Sequence, residues 1–176
     1  MSSPTWHQGV RPSDLDSSRV QQVLRLFLQE TGEHYSEASV RHLPIPAWGG
    51  NLVLLDKEQP LSAPIQGVLW ATPFKDDIVR VAAFVIEAGA QRQGHGGRAW
   101  DCFVEAAWKE GYRHVQLEVK ADNLDAQRFY QARGLTVQTR LEGYYQSGLG
   151  YMMRGPLPSP TGAKDYAPEH GTLDRA

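Results

Sequence analysis

Gln91-Arg92-Gln93-Gly94-His95-Gly96-Gly97-Arg98-Ala99 follows an apolar stretch, Val79-Arg80-Val81-Ala82-Ala83-Phe84-Val85-Ile86, and opens a segment with helical periodicity. Residues without a Cβ let the backbone turn tightly and come close to a ligand. Consecutive N–H groups at a helix N-terminus then point outward, which suits a phosphate or pyrophosphate. Arg92 and Arg98 add positive charge nearby. A glycine cluster also serves as a turn with no ligand, so this run alone leaves both readings open. Its flanks decide.

Downstream, a helix is predicted from Gly96 to Glu110, with Ala99, Phe103 and Ala107 stacked four apart and Trp100, Val104 and Trp108 beside them. Gly111 suits the residue just past its end. His114–Val119 reads as a strand, parallel to the one before the glycines because a helix connects them. Asp122 or Asn123 can cap a further helix ending at Gly134, and Leu135–Leu141 and Gly148–Arg154 read as the final strands.

Upstream, Asn51–Leu55, Ile65–Ala71 and Ile78–Glu87 read as strands of an antiparallel meander, with turn-rich stretches at Asp56–Pro60 and Thr72–Asp77. Before them, Pro44–Gly50 is expected to be a loop. Ser36 can cap a short helix that stops ahead of Pro44. Ser13 or Asp16 can cap a longer one reaching Glu30, with Val20, Val23, Leu24, Phe27 and Leu28 on one face. A short first strand is expected between Trp6 and Val10. One domain is predicted over residues 1–155, and the prolines at 156, 158, 160 and 168 predict a disordered tail over 156–176.

The 176 residues are enough for one domain with a proper core, and 41% apolar with 22% charged residues is ordinary for a globular chain. A net charge of −2 without blocks of like charge points to neither a nucleic-acid nor a membrane partner. Met1-Ser2-Ser3-Pro4-Thr5 carries no basic segment followed by an apolar one, and Cys102 is the single cysteine, so a cytoplasmic setting is expected. His7, His34, His42, His114 and His170 are scattered without ligand spacing, so no metal is expected.

Thirty residues beyond the glycines lies a second motif, Leu117-Glu118-Val119-Lys120-Ala121-Asp122-Asn123-Leu124-Asp125-Ala126-Gln127-Arg128-Phe129-Tyr130-Gln131-Ala132-Arg133-Gly134-Leu135. With it the chain resembles the GNAT superfamily of acetyl-CoA-dependent N-acetyltransferases. Gln91, Gly94 and Gly96 match the family's cofactor motif, Gln/Arg-x-x-Gly-x-Gly/Ala. Asn123, Ala126, Phe129-Tyr130 and Gly134 match its second. The Leu117-Glu118-Val119 stretch, the Tyr144-Tyr145 pair and the closing Tyr151-Met152-Met153-Arg154 are similar to the ribosomal-protein N-terminal acetyltransferases.

The resemblance implies an α/β (α+β) fold: a mixed, mostly antiparallel sheet of about seven strands with a central splayed parallel pair, flanked by about four helices. It implies that pantetheine lies between the strands ending near Glu87 and Val119, bonded to the first as an extra strand would be. Arg92, Gln93, Gly94, His95, Gly96, Gly97 and Arg98 would hold the pyrophosphate, with Gln91 beside them. Asn123, Ala126 and Phe129 would complete the cofactor site. A backbone N–H among Val85, Ile86 and Glu87 would polarise the thioester carbonyl. Tyr130 would lie against the cofactor and protonate the departing thiolate, and Glu118 would be the base. Tyr144 and Tyr145 would line the acceptor site. The expected cosubstrate is acetyl-CoA, attacked directly by a primary amine in a ternary complex, the protein being a monomer or homodimer.

Alternatives stand beside these roles. Tyr130 could be a core aromatic, Glu118 a strand glutamate in an ion pair, and Asn123 a helix cap. The acceptor could be a peptide or protein N-terminus, a polyamine, an amino acid or an antibiotic, and a non-catalytic CoA-binding regulatory domain would keep the same loop. Gly94-His95-Gly96-Gly97-Arg98-Ala99 also fits Gly-x-Gly-x-x-Gly/Ala, with Glu118 placed to meet a ribose. Against a dinucleotide fold stand the loose junction between Glu87 and Gly94 and the lack of further crossover units after Val119. A P-loop is excluded because no Gly-Lys-Ser/Thr follows the glycines.

Overall fold

The computed structural model describes residues 4–56, 64–145 and 148–160. In chain order the elements are β1 (Pro4–Gln8), α1 (Ser17–Thr31), α2 (Glu37–Arg41), β2 (Leu52–Asp56), β3 (Gly67–Lys75), β4 (Ile78–Ile86), α3 (His95–Lys109), β5 (His114–Lys120), α4 (Leu124–Gln131), β6 (Thr136–Tyr145) and β7 (Gly148–Pro156). Among the described residues the strands form a seven-stranded sheet in the order β1-β2-β3-β4-β5-β7-β6. The pair β4–β5 is parallel, joined through α3, and its ladder pairs Ile78, Val79 and Arg80 with His114, Val115 and Gln116. This is the mixed α/β arrangement the resemblance implies. The described residues fall into two compact units, one drawn from 1–72 and 82–103, the other from 73–81 and 104 onward.

In the first unit, Asp16 caps α1 by accepting from the Arg19 N–H at 2.9 Å, and Gly32 ends it in the left-handed region at φ 76°. The buried face of α1 is Val20, Val23, Leu26 and Phe27, whereas Leu28 is 41% exposed. The stripe thus centres on Val23 and Phe27. At ~3.6 residues per turn, Leu26 falls inside it and Leu28 on its solvent edge, a rotation the apolar spacing alone does not show. These side chains pack with Val40, Val53, Leu55, Val68, Trp70 and Val85. The Trp70 indole donates to the Val10 carbonyl at 2.9 Å, which makes a buried tryptophan tolerable.

β3 runs on through Thr72-Pro73-Phe74-Lys75, which the sequence marks as a turn. The β2 ladder ends at the Leu52–Leu69 pair, so on that side no partner strand is registered at Pro73 to need its missing N–H. The turn itself shrinks to Asp76 and Asp77, with Asp76 at φ 49°, a conformation aspartate adopts more readily than most residues.

In the second unit, β5 is antiparallel to β7 from the His114–Pro156 pair to the Lys120–Gly150 pair. Val115, Leu117, Val119, Leu135 and Met153 are buried there, with Ala107 from α3 and Tyr130 from α4. Asn123 caps α4, and Gly134 turns the chain back at φ 92°. β7 extends to Pro156, and Leu157 beyond it is buried with its N–H donating to the Arg113 carbonyl. The part of the predicted tail after Pro160 lies outside the described residues.

Candidate active site

The glycine run sits between β4 and α3 in the first unit. A short 3-10 turn, Ala88–Ala90, follows β4. Arg92 (φ 63°) and Gly94 (φ 84°) then both take the left-handed conformation, and Arg92 is the costlier of the two because it carries a Cβ. Such alternation turns successive N–H groups toward one side, the geometry of an anion-binding concavity. The first backbone bond of α3 runs from the Arg98 N–H to the Gly94 carbonyl, so the N–H groups of His95, Gly96 and Gly97 precede it.

Side chains brace this loop. Gln91 donates to the Ile86 carbonyl at 2.7 Å and to Glu30 at 3.2 Å, while Glu30 also accepts from the Ala88 N–H at 2.9 Å. Gln93 reaches the Gly89 carbonyl. Arg98 folds back over Gly94: its Nη2 lies 3.1 Å from the Gln93 carbonyl and 2.9 Å from His95 Nδ1, and a Cβ on Gly94 would come within 2.8 Å of its Nη1. As acceptor from an arginine, Nδ1 carries no proton, which places the proton of a neutral ring on Nε2. Burial, then the Arg98 charge, lowers the His95 pKa. His95 is therefore a buried neutral ring; its carbonyl accepts from the Trp6 indole at 2.9 Å. Val85 is buried at the end of β4, with Ile86 and Glu87 half-buried after it.

The second unit carries the other residues named from the motifs. Glu118, on β5, has a side chain only 11% exposed. Its Oε1 accepts from Arg80 Nη2 at 2.6 Å, from Arg80 Nε at 3.0 Å and from the Tyr144 hydroxyl at 3.3 Å. Its Oε2 accepts from Arg80 Nε at 3.2 Å. Arg80 Nη2 also reaches the Tyr144 oxygen at 3.2 Å. Burial works to lower the Arg80 pKa, but hydrogen bonding and charge from Glu118 outweigh it and raise it. Burial, then the Glu118 charge, raises the Tyr144 phenol. Glu118 is thus in an ion pair, one of the alternatives open in the sequence.

The motif reading missed Arg80. It is the one charged residue in Ile78–Ile86, and a charge inside an otherwise apolar strand asks for a buried partner. The parallel register puts it opposite Gln116, two residues before Glu118.

Asn123 accepts from the Ala126 N–H at 3.1 Å, so it does cap α4. Phe129 and Tyr130 meet edge to face at 5.5 Å, and the Arg133 guanidinium lies 3.6 Å over Phe129. Tyr130 is buried, which pushes its phenol far above the usual value. Of the tyrosine pair, half-exposed Tyr144 reaches the Glu118 carboxylate, whereas Tyr145 packs against Gly150, where a Cβ would come within 2.6 Å of its ring. Lys120 Nζ sits 5.6 Å from the Tyr145 ring centre. Among the described residues no group of three His, Cys, Asp or Glu side chains could hold a metal ion, and no helix is long and apolar enough to cross a membrane.

Solved structures share this fold. Ard1 from Thermoplasma volcanium superposes with a TM-score of 0.73 at 22% identity, over 89% of this chain and 99% of that one. The ribosomal-protein-S18-alanine N-acetyltransferase from Escherichia coli does so with a TM-score of 0.67 at 19% identity, over 88% and 94%. The NatC complex, solved bound to Gag peptide and CoA, gives 0.70 at 15% identity, over 89% and 99%. No curated protein matches the chain in sequence. The profile of the acetyltransferase (GNAT) family, however, matches residues 20–135, which takes in both motifs and the strands and helices that carry them. The chain belongs to the GNAT family and is an acyltransferase.

Proposed function

We propose that this enzyme transfers the acetyl group of acetyl-CoA to the α-amine of a peptide or protein N-terminus by direct attack. The observation that carries the reading is the pairing of Glu118 with Arg80. The pair has no net charge, so it offers hydrogen-bonding geometry to an amine or its water more than a strong pull on a proton. At pH 7, taking the proton from a lysine costs ~4–5 kcal/mol, but from an α-amine of pKa ~8 only ~1 kcal/mol. A neutral pair suits the second task.

In this reading the Arg92–Gly97 backbone holds the pyrophosphate, and Glu118 accepts the proton of the attacking nitrogen, directly or through a water. The new N–C bond forms as the C–S bond breaks, and the Tyr130 hydroxyl gives its proton to the sulfur. Burial keeps that phenol protonated until a thiolate forms, and a thiolate formed in an equally buried place is itself a stronger base. The fold shared with peptide-bound NatC supports an acceptor of peptide kind.

The test is a pair of peptides at pH 7, one with a blocked N-terminus and a free lysine, the other with a free N-terminus and no lysine. Thiol release from acetyl-CoA is expected with the second. Exclusive acetylation of the first, or of neither beside turnover of a polyamine, overturns the reading.

A further inference from the structure

Glu118 is held mainly through one of its two oxygens. Oε1 takes three donors, Arg80 Nη2 at 2.6 Å, Arg80 Nε at 3.0 Å and the Tyr144 hydroxyl at 3.3 Å, against the two lone pairs a carboxylate oxygen has. Among the described residues Oε2 takes a single shared contact at 3.2 Å, and a second lone pair keeps acceptor capacity. The other cations of that strand face are engaged elsewhere. Arg154 donates to Gln116 at 2.6 and 3.1 Å, and Lys120 lies by the Tyr145 ring. Among the described residues Arg80 is therefore the cation that fixes Glu118. It fixes the carboxylate in rotation as well as in place, because a guanidinium bonding through Nε and Nη2 sets the plane of its partner.

We propose that Arg80 is a positioning residue for the acceptor side of the reaction: with Tyr144 it saturates Oε1 of Glu118 and so presents Oε2 to the incoming amine or its water. The inference rests on Glu118 acting on the acceptor, as proposed above. It adds a residue that neither sequence motif contains. Tyr144, half-exposed on β6, then has a stated task. Its hydroxyl completes the set of donors on Oε1, and its ring borders the place where the acceptor arrives.

The experiment is a double-mutant cycle on the full chain, with acetyl-CoA and a lysine-free peptide bearing a free N-terminal amine. Arg80→Met is expected to lower kcat ~10–100-fold, the scale of a misplaced catalytic group, with the KM for acetyl-CoA unchanged. Arg80→Lys should recover part of the loss, since it keeps the charge but not the fixed plane. In a Glu118→Gln background, Arg80→Met should cost little more, because nothing remains to be positioned. Tyr144→Phe, a change at the surface, should give a smaller kcat loss that also vanishes in the Glu118→Gln background, and it serves if Arg80→Met fails to fold. Full additivity of Arg80→Met or Tyr144→Phe with Glu118→Gln means a purely structural role and overturns the proposal. Full kcat in Glu118→Gln overturns the reading of Glu118 itself, and a collapse in Glu118→Gln beside an unaffected Arg80→Met overturns only the role of Arg80.

Discussion

The indole of Trp6 donates to the backbone carbonyl of His95 at 2.9 Å, tying the first strand to the first turn of α3 across 89 positions of sequence. His95 holds the middle of the glycine run, and its ring accepts from Arg98. One end of the chain thus fixes the loop that would meet the pyrophosphate. Trp6→Phe keeps an aromatic ring and loses the donor, at a cost of about 0.5–1.5 kcal/mol for the lost hydrogen bond. A lower Tm and a several-fold weaker Kd for acetyl-CoA are expected, by thermal melts and calorimetry. An unchanged Kd would show that the tie serves stability alone.

Gly96→Asp tests the loop directly. An aspartate in the first turn of a helix is favourable to the helix dipole, so the fold should hold or gain slightly. The same carboxylate would stand beside the backbone N–H groups proposed to hold the pyrophosphate and should repel it. Acetyl-CoA binding is expected to weaken at least ~100-fold, about 3 kcal/mol, with Tm not lowered. Unchanged affinity by calorimetry would move the pyrophosphate elsewhere.

Tyr130→Phe removes the proton proposed for the sulfur while keeping the buried ring against Phe129. The kcat should fall ~10²–10⁴-fold, as for other general acids, with acetyl-CoA affinity little changed. Full kcat in a variant limited by chemistry would hand the acid role to water.

How much of this could be read beforehand follows from what each signal measures. The α3 face shows in its four-residue spacing, because Ala99, Phe103 and Ala107 answer to helix geometry alone. Asp16, Ser36 and Asn123 show as caps for a similar local reason. The length of β3 does not show, because Pro73 is a breaker only where a neighbouring strand needs its N–H, and register is a tertiary fact. Leu26 and Leu28 exchange places for the same kind of reason: a rotation of the buried stripe by some tens of degrees, set by tertiary packing, decides which of the two leucines is covered. At the proposed site, Glu118 and Tyr130 are legible from a motif. Arg80 is not, because only the strand pairing carries it toward Glu118.

His95 gives a pH dependence of stability with a definite sign. Burial and Arg98 depress its folded pKa below the ordinary value near 6.5. Between the two values the unfolded chain holds more protons than the folded one, so stability rises with pH there. Its contribution is present above pH ~6.5 and is lost as pH falls from there through the lower folded pKa. The Tm should drop on acidification from pH 7 to 5, and His95→Gln, which cannot titrate, should flatten that part of the curve. A wild-type and variant pair with parallel curves would assign the acid sensitivity to other groups.

The acceptor preference carries its own pH signature. If the neutral Arg80–Glu118 pair gives an amine little help in losing its proton, the solution supply of neutral amine controls kcat/KM. For lysine that supply grows ~10-fold per pH unit up to pH 9, while an α-amine with pKa ~8 is already mostly neutral there. The ratio of kcat/KM for the free-N-terminus peptide to that for the lysine peptide should therefore be largest at pH 7 and narrow steadily toward pH 9. A ratio that stays flat would mean the enzyme strips the proton itself and does so equally well from both amines. That would demand a stronger base than a carboxylate already shared with an arginine, and a search for it would begin among the groups around the Tyr144 ring.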